Sequence, residues 1–200
     1  MDENQRIDRR VRKTEKAIFS ALITLLSERP LSDITIRELT ESADIHRATF
    51  YDHYTDINAC FEALQTSTLA EFNAVLKSSP ELDYALIYSN ILSYIRSNQE
   101  TYRILLGRNG SSDFQGRMAA LIEADYLGNI RREYPSAKAN KSWEYIAAYH
   151  TTGNIGMISR WIENGCTISM DQMVHLLLSA DRVLDSLYGV SSPSGRKAKK

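Results

Sequence analysis

Between His46 and His53 the chain reads His46-Arg47-Ala48-Thr49-Phe50-Tyr51-Asp52-His53. An imidazole, a guanidinium, a methyl, a hydroxyl and a phenol stand within two helical turns. Arg47 is a fork of donors that suits guanine O6 and N7, worth about 1–3 kcal/mol of base discrimination when bidentate. His46 falls at a helix start, where a recognition helix touches base edges. Ala48 is small enough for close approach, and its methyl can meet a thymine methyl. Thr49, Tyr51 and His53 are short donors suited to phosphate oxygens. Thr35 and Arg37, at the head of the preceding helix, can hold the backbone on the other side of a groove. The partner this chemistry addresses is double-stranded DNA.

Such side chains work only if neighbouring elements hold them outward. Thr35 to Glu38 spells a capping box, which starts a helix whose Ile36, Leu39 and Ala43 face inward. Asp44 sits at the turn, where aspartate tolerates positive φ better than most residues with a side chain. Ile45, Phe50 and Tyr54 supply the apolar side of the next helix, so 46, 47, 49, 51 and 53 project from the other. Upstream, Ile18, Leu22, Leu25 and Leu26 recur at helical spacing, with Phe19 widening the stripe. Pro30 stops that helix after Glu28-Arg29. Thr55-Asp56-Ile57 opens a longer helix carrying Phe61, Leu64, Leu69, Phe72 and Leu76.

Charge gives mixed guidance. Residues 6 to 16 hold six Lys or Arg against Asp8 and Glu15, a basic segment able to follow a phosphate strand. Residues 1 to 60 nevertheless contain nine Lys/Arg and eleven Asp/Glu, and the whole chain has a formal net charge of -1. DNA binding therefore requires Glu41, Asp44 and Asp52 to sit away from phosphate. The plainer alternative is that these are solvated polar faces of a helical protein.

Beyond Ser78-Ser79-Pro80, helical periodicity continues over 82–97, 99–107, 113–133, 141–164 and 170–188. Breaks fall at Asn98, Gly107 to Ser112, Tyr134-Pro135 and Asn164-Gly165. The expected fold class is all-α, with about nine helices. A three-helix helix-turn-helix domain over 1–55 leads into a larger helical domain over 56–190, and a polar, basic tail over 191–200 is expected to be disordered. The two cysteines, Cys60 and Cys166, match no metal spacing or disulfide framework. The apolar run Ala17 to Leu26 is too short to span a bilayer, and the N-terminus lacks signal-peptide shape. A cytoplasmic protein without a membrane partner is expected.

Catalysis finds little support. No glycine loop for nucleotides, paired carboxylates or nucleophile with an evident base is legible. Gly107-Arg108-Asn109-Gly110 is not followed by a phosphate-binding Lys-Ser/Thr. His46 and His53 share a face without a third ligand at metal spacing, so no metal and no cofactor are expected. A small helical enzyme remains only the remote alternative.

The stretch Arg9 to Leu64 resembles the DNA-binding domain of the TetR family of bacterial transcriptional regulators. The matching features are the basic-then-apolar first helix, the Thr35-Ile36-Arg37-Glu38-Leu39 opening, Ala43, Ile45, and Arg47-Ala48-Thr49-Phe50-Tyr51 followed by His53-Tyr54. The resemblance implies a homodimer on a palindromic operator, usually repressing transcription. It places Arg37, Arg47, Thr49, Tyr51 and His53 at DNA-contact positions. Three departures stand out: Asp44 where glycine is frequent, His46 for a small polar cap, and Ile57 where many members have a phosphate-contacting lysine.

The resemblance also implies an effector pocket in the larger domain and a four-helix dimer bundle built from the last two helices. Nine of the eleven tyrosines follow residue 80. Tyr84, Tyr88, Tyr94, Tyr102, Tyr126 and Tyr149 are candidates for lining a pocket, with plain core as the alternative. Trp143, His150, Gly153, Met157, Trp161, Leu176, Leu177 and Leu184 are candidates for the dimer interface; His150 and Asn154, one turn apart, are placed in that seam, with a ligand-facing position as the alternative. Gly153 and Gly156 mark either close approach of a neighbouring helix or a kink. Control by a protein partner, in a regulator or coactivator, stays open beside control by a small molecule.

Overall fold

The computed structural model describes residues 3–78, 83–107, 112–133 and 142–187. Among these residues there are nine α-helices and no strand. They belong to two compact units, divided after Thr68, where the sequence reading placed the division at residue 55.

In the first unit, α1 (Glu3–Glu28) buries Ile18, Ala21, Leu22 and Leu26 and leaves Arg9, Arg10, Arg12 and Lys13 exposed. A short 3-10 turn over Leu31–Asp33 follows Pro30. α2 (Ile36–Ser42) begins at the expected capping box. Thr35 Oγ1 accepts from the Glu38 amide at 3.3 Å, and Glu38 Oε2 accepts from the Thr35 amide at 3.0 Å. Both orphan donors at the helix start are thereby satisfied. Asp44 adopts φ 52, and the Ile45 amide donates back to the Thr40 carbonyl at 3.1 Å. That left-handed residue turns the chain into α3 (Arg47–His53). α4 (Ile57–Leu76) opens with Asp56 Oδ1 accepting from the Ala59 amide at 2.8 Å. Cys60 is buried on α4, and burial pushes its thiol up to about 12, so it serves as packing.

The second unit contains the rest of α4, then α5 (Tyr84–Ser97), α6 (Gln99–Leu106), α7 (Ser112–Glu133), α8 (Ser142–Glu163) and α9 (Met170–Leu187). Asp83 caps α5 by accepting from the Ala85 and Leu86 amides. α5 packs on α9, and α8 packs on α6, α7 and α9. Leu92, Ile95, Tyr102, Leu105, Phe114 and Ile162 are among its most deeply buried apolar side chains, with Phe72, Met118, Ala147 and Leu177. α8 runs unbroken through Gly153 and Gly156, and ends where Gly165 and Cys166 take φ 66 and 55.

The expected helices 82–97, 99–107, 113–133, 141–164 and 170–188 correspond to α5 through α9 within one or two residues at each end. The expected tail over 191–200 lies outside the described residues, as do 108–111 and the Tyr134-Pro135 break. Among the described residues, no helix is long and apolar enough to cross a membrane.

Candidate nucleic-acid interface

α3 is only seven residues long and is held by two aromatic side chains. Phe50 is 0% exposed and Tyr54 8%. Their rings lie 5.8 Å apart, and Phe19 of α1 stacks on Tyr54 at 6.2 Å. Burying two rings on one side fixes which residues face out. His46, Arg47 and Ala48 are exposed, Tyr51 is 53% exposed, and Thr49 and His53 are half-buried. His46 sits at the N-cap with extended backbone and makes no side-chain cap bond, so its imidazole is left for other partners. Asp52 is also exposed and borders this face on the C-terminal side.

The two α2 candidates are exposed but already engaged. The Thr35 hydroxyl donates to Glu38 Oε2 at 2.7 Å as part of the cap. The Arg37 Nε donates to Glu41 Oε1 at 2.8 Å. A phosphate would have to displace Glu41 from Arg37, an exchange that an exposed i,i+4 pair makes at small cost. Glu38 also accepts Arg29 at 3.0 Å, tying the end of α1 to the head of α2. Thr35's bonds, aided by Arg29, hold the Glu38 carboxyl below the usual range. Among the described residues no cluster fit for a metal exists.

In the second unit Tyr84, Tyr88 and Tyr126 come together around one small cavity, with Phe72, Ile87, Ile91, Ile122 and Ile158 as apolar walls. The cavity has a volume of about 50 Å³. Asp125, Asn129, His150 and Asn154 supply the polar lining. Tyr94 and Tyr102 lie elsewhere: their rings meet edge-to-face at 5.9 Å, and the Tyr94 hydroxyl donates to Glu71 at 2.9 Å. Tyr149 is 68% exposed on the outer side of α8.

His150 and Asn154 are buried inside the chain, where sequence reading placed them in a seam between subunits. The Tyr88 hydroxyl donates to Asp181 Oδ2 at 2.6 Å and accepts from Asn154 Nδ2 at 3.0 Å. His150 Nε2 lies 3.0 Å from Asp181 Oδ1, close enough for an ion pair but out of line for a hydrogen bond. The His150 ring stacks on Tyr126 at 4.2 Å. Tyr88, Asn154 and one oxygen of Asp181 thus pair with one another, the usual condition for burying polar groups, while His150 Nδ1 and Asp181 Oδ1 make no hydrogen bond. Burial first, and then the Asp181 charge, holds the Tyr88 phenol well above its ordinary range.

Trp143, Trp161 and Leu177 are likewise taken by the chain's own interior, Trp161 donating to the Ile168 carbonyl at 2.9 Å. The outer side of α8 and α9 instead presents Tyr145, Tyr149, Gly153, Gly156, Leu176 and Val183 as exposed residues. Met157 and Leu184 are half-buried beside them. A methyl added at Gly153 or Gly156 would meet nothing within 4 Å. A groove of about 480 Å³ runs along Gly153, Met157, Trp161, Met173 and Leu176.

Sequence reasoning missed Asp125, Asn129, Asp181 and Tyr145. Asp181 had a signal: it falls in register with Met173, Leu177 and Leu184, where an apolar residue is expected. Asp125 and Asn129 had a weaker one, a hydrogen-bonding pair four residues apart.

Comparison with known proteins agrees with this geometry. Residues 18–64 match the family described as bacterial regulatory proteins, tetR family, and residues 84–180 match a transcriptional regulator C-terminal region. The HTH-type transcriptional regulator YxbF of Bacillus subtilis is 34% identical over 82 residues, which is 40% of this chain and 22% of that protein. The chain thus spans only about a fifth of YxbF. An HTH-type regulator of Haemophilus influenzae is 23% identical over 153 residues, covering 73% of this chain and 74% of its own. The TetR transcriptional regulator structure from Streptococcus agalactiae superposes with a TM-score of 0.65 at 23% identity, covering 89% of this chain and 98% of that one. A capped, aromatic-anchored helix pair within the first matched region, and a helical body within the second, make this chain a member of the TetR family of transcriptional regulators.

Proposed function

We propose that the chain acts in the cytoplasm as a homodimeric repressor that reads an inverted-repeat operator through α3 and releases it when an effector occupies the second unit. One observation carries this reading: Phe50 and Tyr54 are buried while His46, Arg47, Ala48 and Tyr51 stand open on α3. A short helix exposing a guanidinium, an imidazole and a phenol is suited to the major groove. Arg47 supplies base discrimination, and Thr49, Tyr51, His53, Thr35 and Arg37 supply phosphate contacts.

The exposed aromatic and aliphatic residues of α8 and α9, beside two glycines with open space above them, support a second copy as the partner. Gly153, Met157, Leu176 and Leu184, with Tyr145, Tyr149 and Val183, are the residues assigned to that seam. Half-sites for such dimers lie about one turn, roughly 34–36 Å, apart. A change in head separation therefore spoils simultaneous engagement. Coupling of about 1–3 kcal/mol changes affinity roughly 5- to 150-fold.

The small cavity favours one other reading, control by a protein partner, because drug-sized pockets span about 300–1,000 Å³ and this one offers about 50 Å³. Sedimentation tests the central proposal. The wild-type chain should be a dimer, and Leu176→Glu should be a folded monomer that loses tight duplex binding. A monomeric wild type that binds duplex tightly would rule the proposal out.

A further inference from the structure

Resting on the reading that the second unit holds an effector, we propose that its tyrosine-lined cavity takes a small organic ammonium ion, paired with Asp125. Size is the first constraint. A buried water needs about 10–15 Å³ on this measure, so 50 Å³ accommodates about three to five waters or a ligand of a few heavy atoms. A long acyl chain does not fit.

Charge is the second constraint. Among the described lining residues Asp125 is the lone carboxylate, and none is Lys or Arg. Burial holds its carboxyl above the ordinary range, against the opposing pull of Asn129, Lys77 and Arg132. Asn129 Nδ2 donates to Asp125 Oδ2 at 3.0 Å, and Asn129 Oδ1 in turn accepts from Arg132 at 3.0 Å. Arg132 is thus engaged in orienting the amide that orients the carboxylate. An anionic ligand would meet Asp125, and His150, the one described lining side chain able to carry positive charge, already lies 3.0 Å from Asp181.

Aromatic character is the third constraint. Tyr84, Tyr88, Tyr126 and His150 border the same space, and Tyr126 and His150 already lie parallel at 4.2 Å. Tyrosine rings bordering a carboxylate favour a cation over a neutral molecule of equal size. The apolar walls at Ile87, Ile91 and Ile122 suit a short alkyl group on that cation.

The experiment titrates the full-length chain with propylammonium, 1-propanol and propionate, three molecules of similar length and different charge. Millimolar affinity is the scale for so few atoms, and protein-observed NMR reads it. Propylammonium should bind most tightly, and Asp125→Asn should weaken it at least about tenfold while leaving 1-propanol little changed. In the wild type, propylammonium affinity should rise with pH as Asp125 ionises. Tyr84, Tyr88, Tyr126 and His150 also face the space, with Lys77, Arg132 and Asp181 nearby, so loss of that rise in Asp125→Asn assigns it. No propylammonium binding, equal binding by all three, or binding indifferent to Asp125→Asn would overturn the proposal. Operator release is scored separately. Propylammonium that binds through Asp125 yet leaves the DNA complex intact supports the site and contradicts the effector reading alone.

Discussion

The Tyr88 hydroxyl on α5 donates to Asp181 Oδ2 on α9 across 2.6 Å. A short bond between a phenol and a carboxylate, both largely sealed from water, ties a helix that lines the cavity to a helix of the proposed subunit seam. His150 and Asn154 of α8 close the same cluster.

Tyr88→Phe should therefore destabilise the protein by about 1–3 kcal/mol, because Asp181 keeps its burial and loses its donor. Chemical denaturation at fixed protein concentration reads this. An unchanged midpoint would show that the bond contributes nothing net.

Asp44 offers a cleaner backbone test. Its φ of 52 is one that a Cβ resists. Asp44→Gly should be neutral or stabilising by up to about 1 kcal/mol, whereas Asp44→Val should cost stability. Thermal unfolding of both variants checks the order, and the reverse order would contradict the left-handed turn.

Glu38 links the turn to acidity. Its carboxyl titrates below the usual range because Thr35 and Arg29 favour the charged form. A depressed folded value contributes stability above the unfolded value and loses it as pH falls through the folded one. Glu38→Gln should flatten the acid limb of the stability profile, while stability near neutrality falls. An acid limb identical to wild type would remove Glu38 from that role.

Arg47 and Tyr51 should differ in kind. Arg47→Ala should relax sequence preference by about 1–3 kcal/mol, and Tyr51→Phe should weaken all duplexes alike. A gel-shift panel over substituted duplexes separates the two. Unchanged base preference in Arg47→Ala would count against direct readout by that residue.

The first unit was legible because its local chemistry is self-announcing. Thr35 and Glu38 cap each other, Asp44 turns, and Phe50 and Tyr54 leave one face open, all from contacts within a few residues. α8 was legible as a helix but not as a set of faces. It is apolar over much of its circumference, and its polarity is inverted: His150 and Asn154 are buried while Tyr145 and Tyr149 are exposed. Hydrophobicity forecasts burial only where side chains serve the core alone. The partner that reverses the rule inside, Asp181, stands 31 residues downstream of His150 and on another helix, and no local spacing could pair them.

Selection of bound fragments from random duplex DNA tests the central claim most directly. An inverted repeat with half-sites about one helical turn apart should be enriched, with weakened preference at one position of each half-site when the selection is repeated with Arg47→Ala. Recovery of no motif, or of a single unpaired half-site bound equally by both proteins, would contradict it.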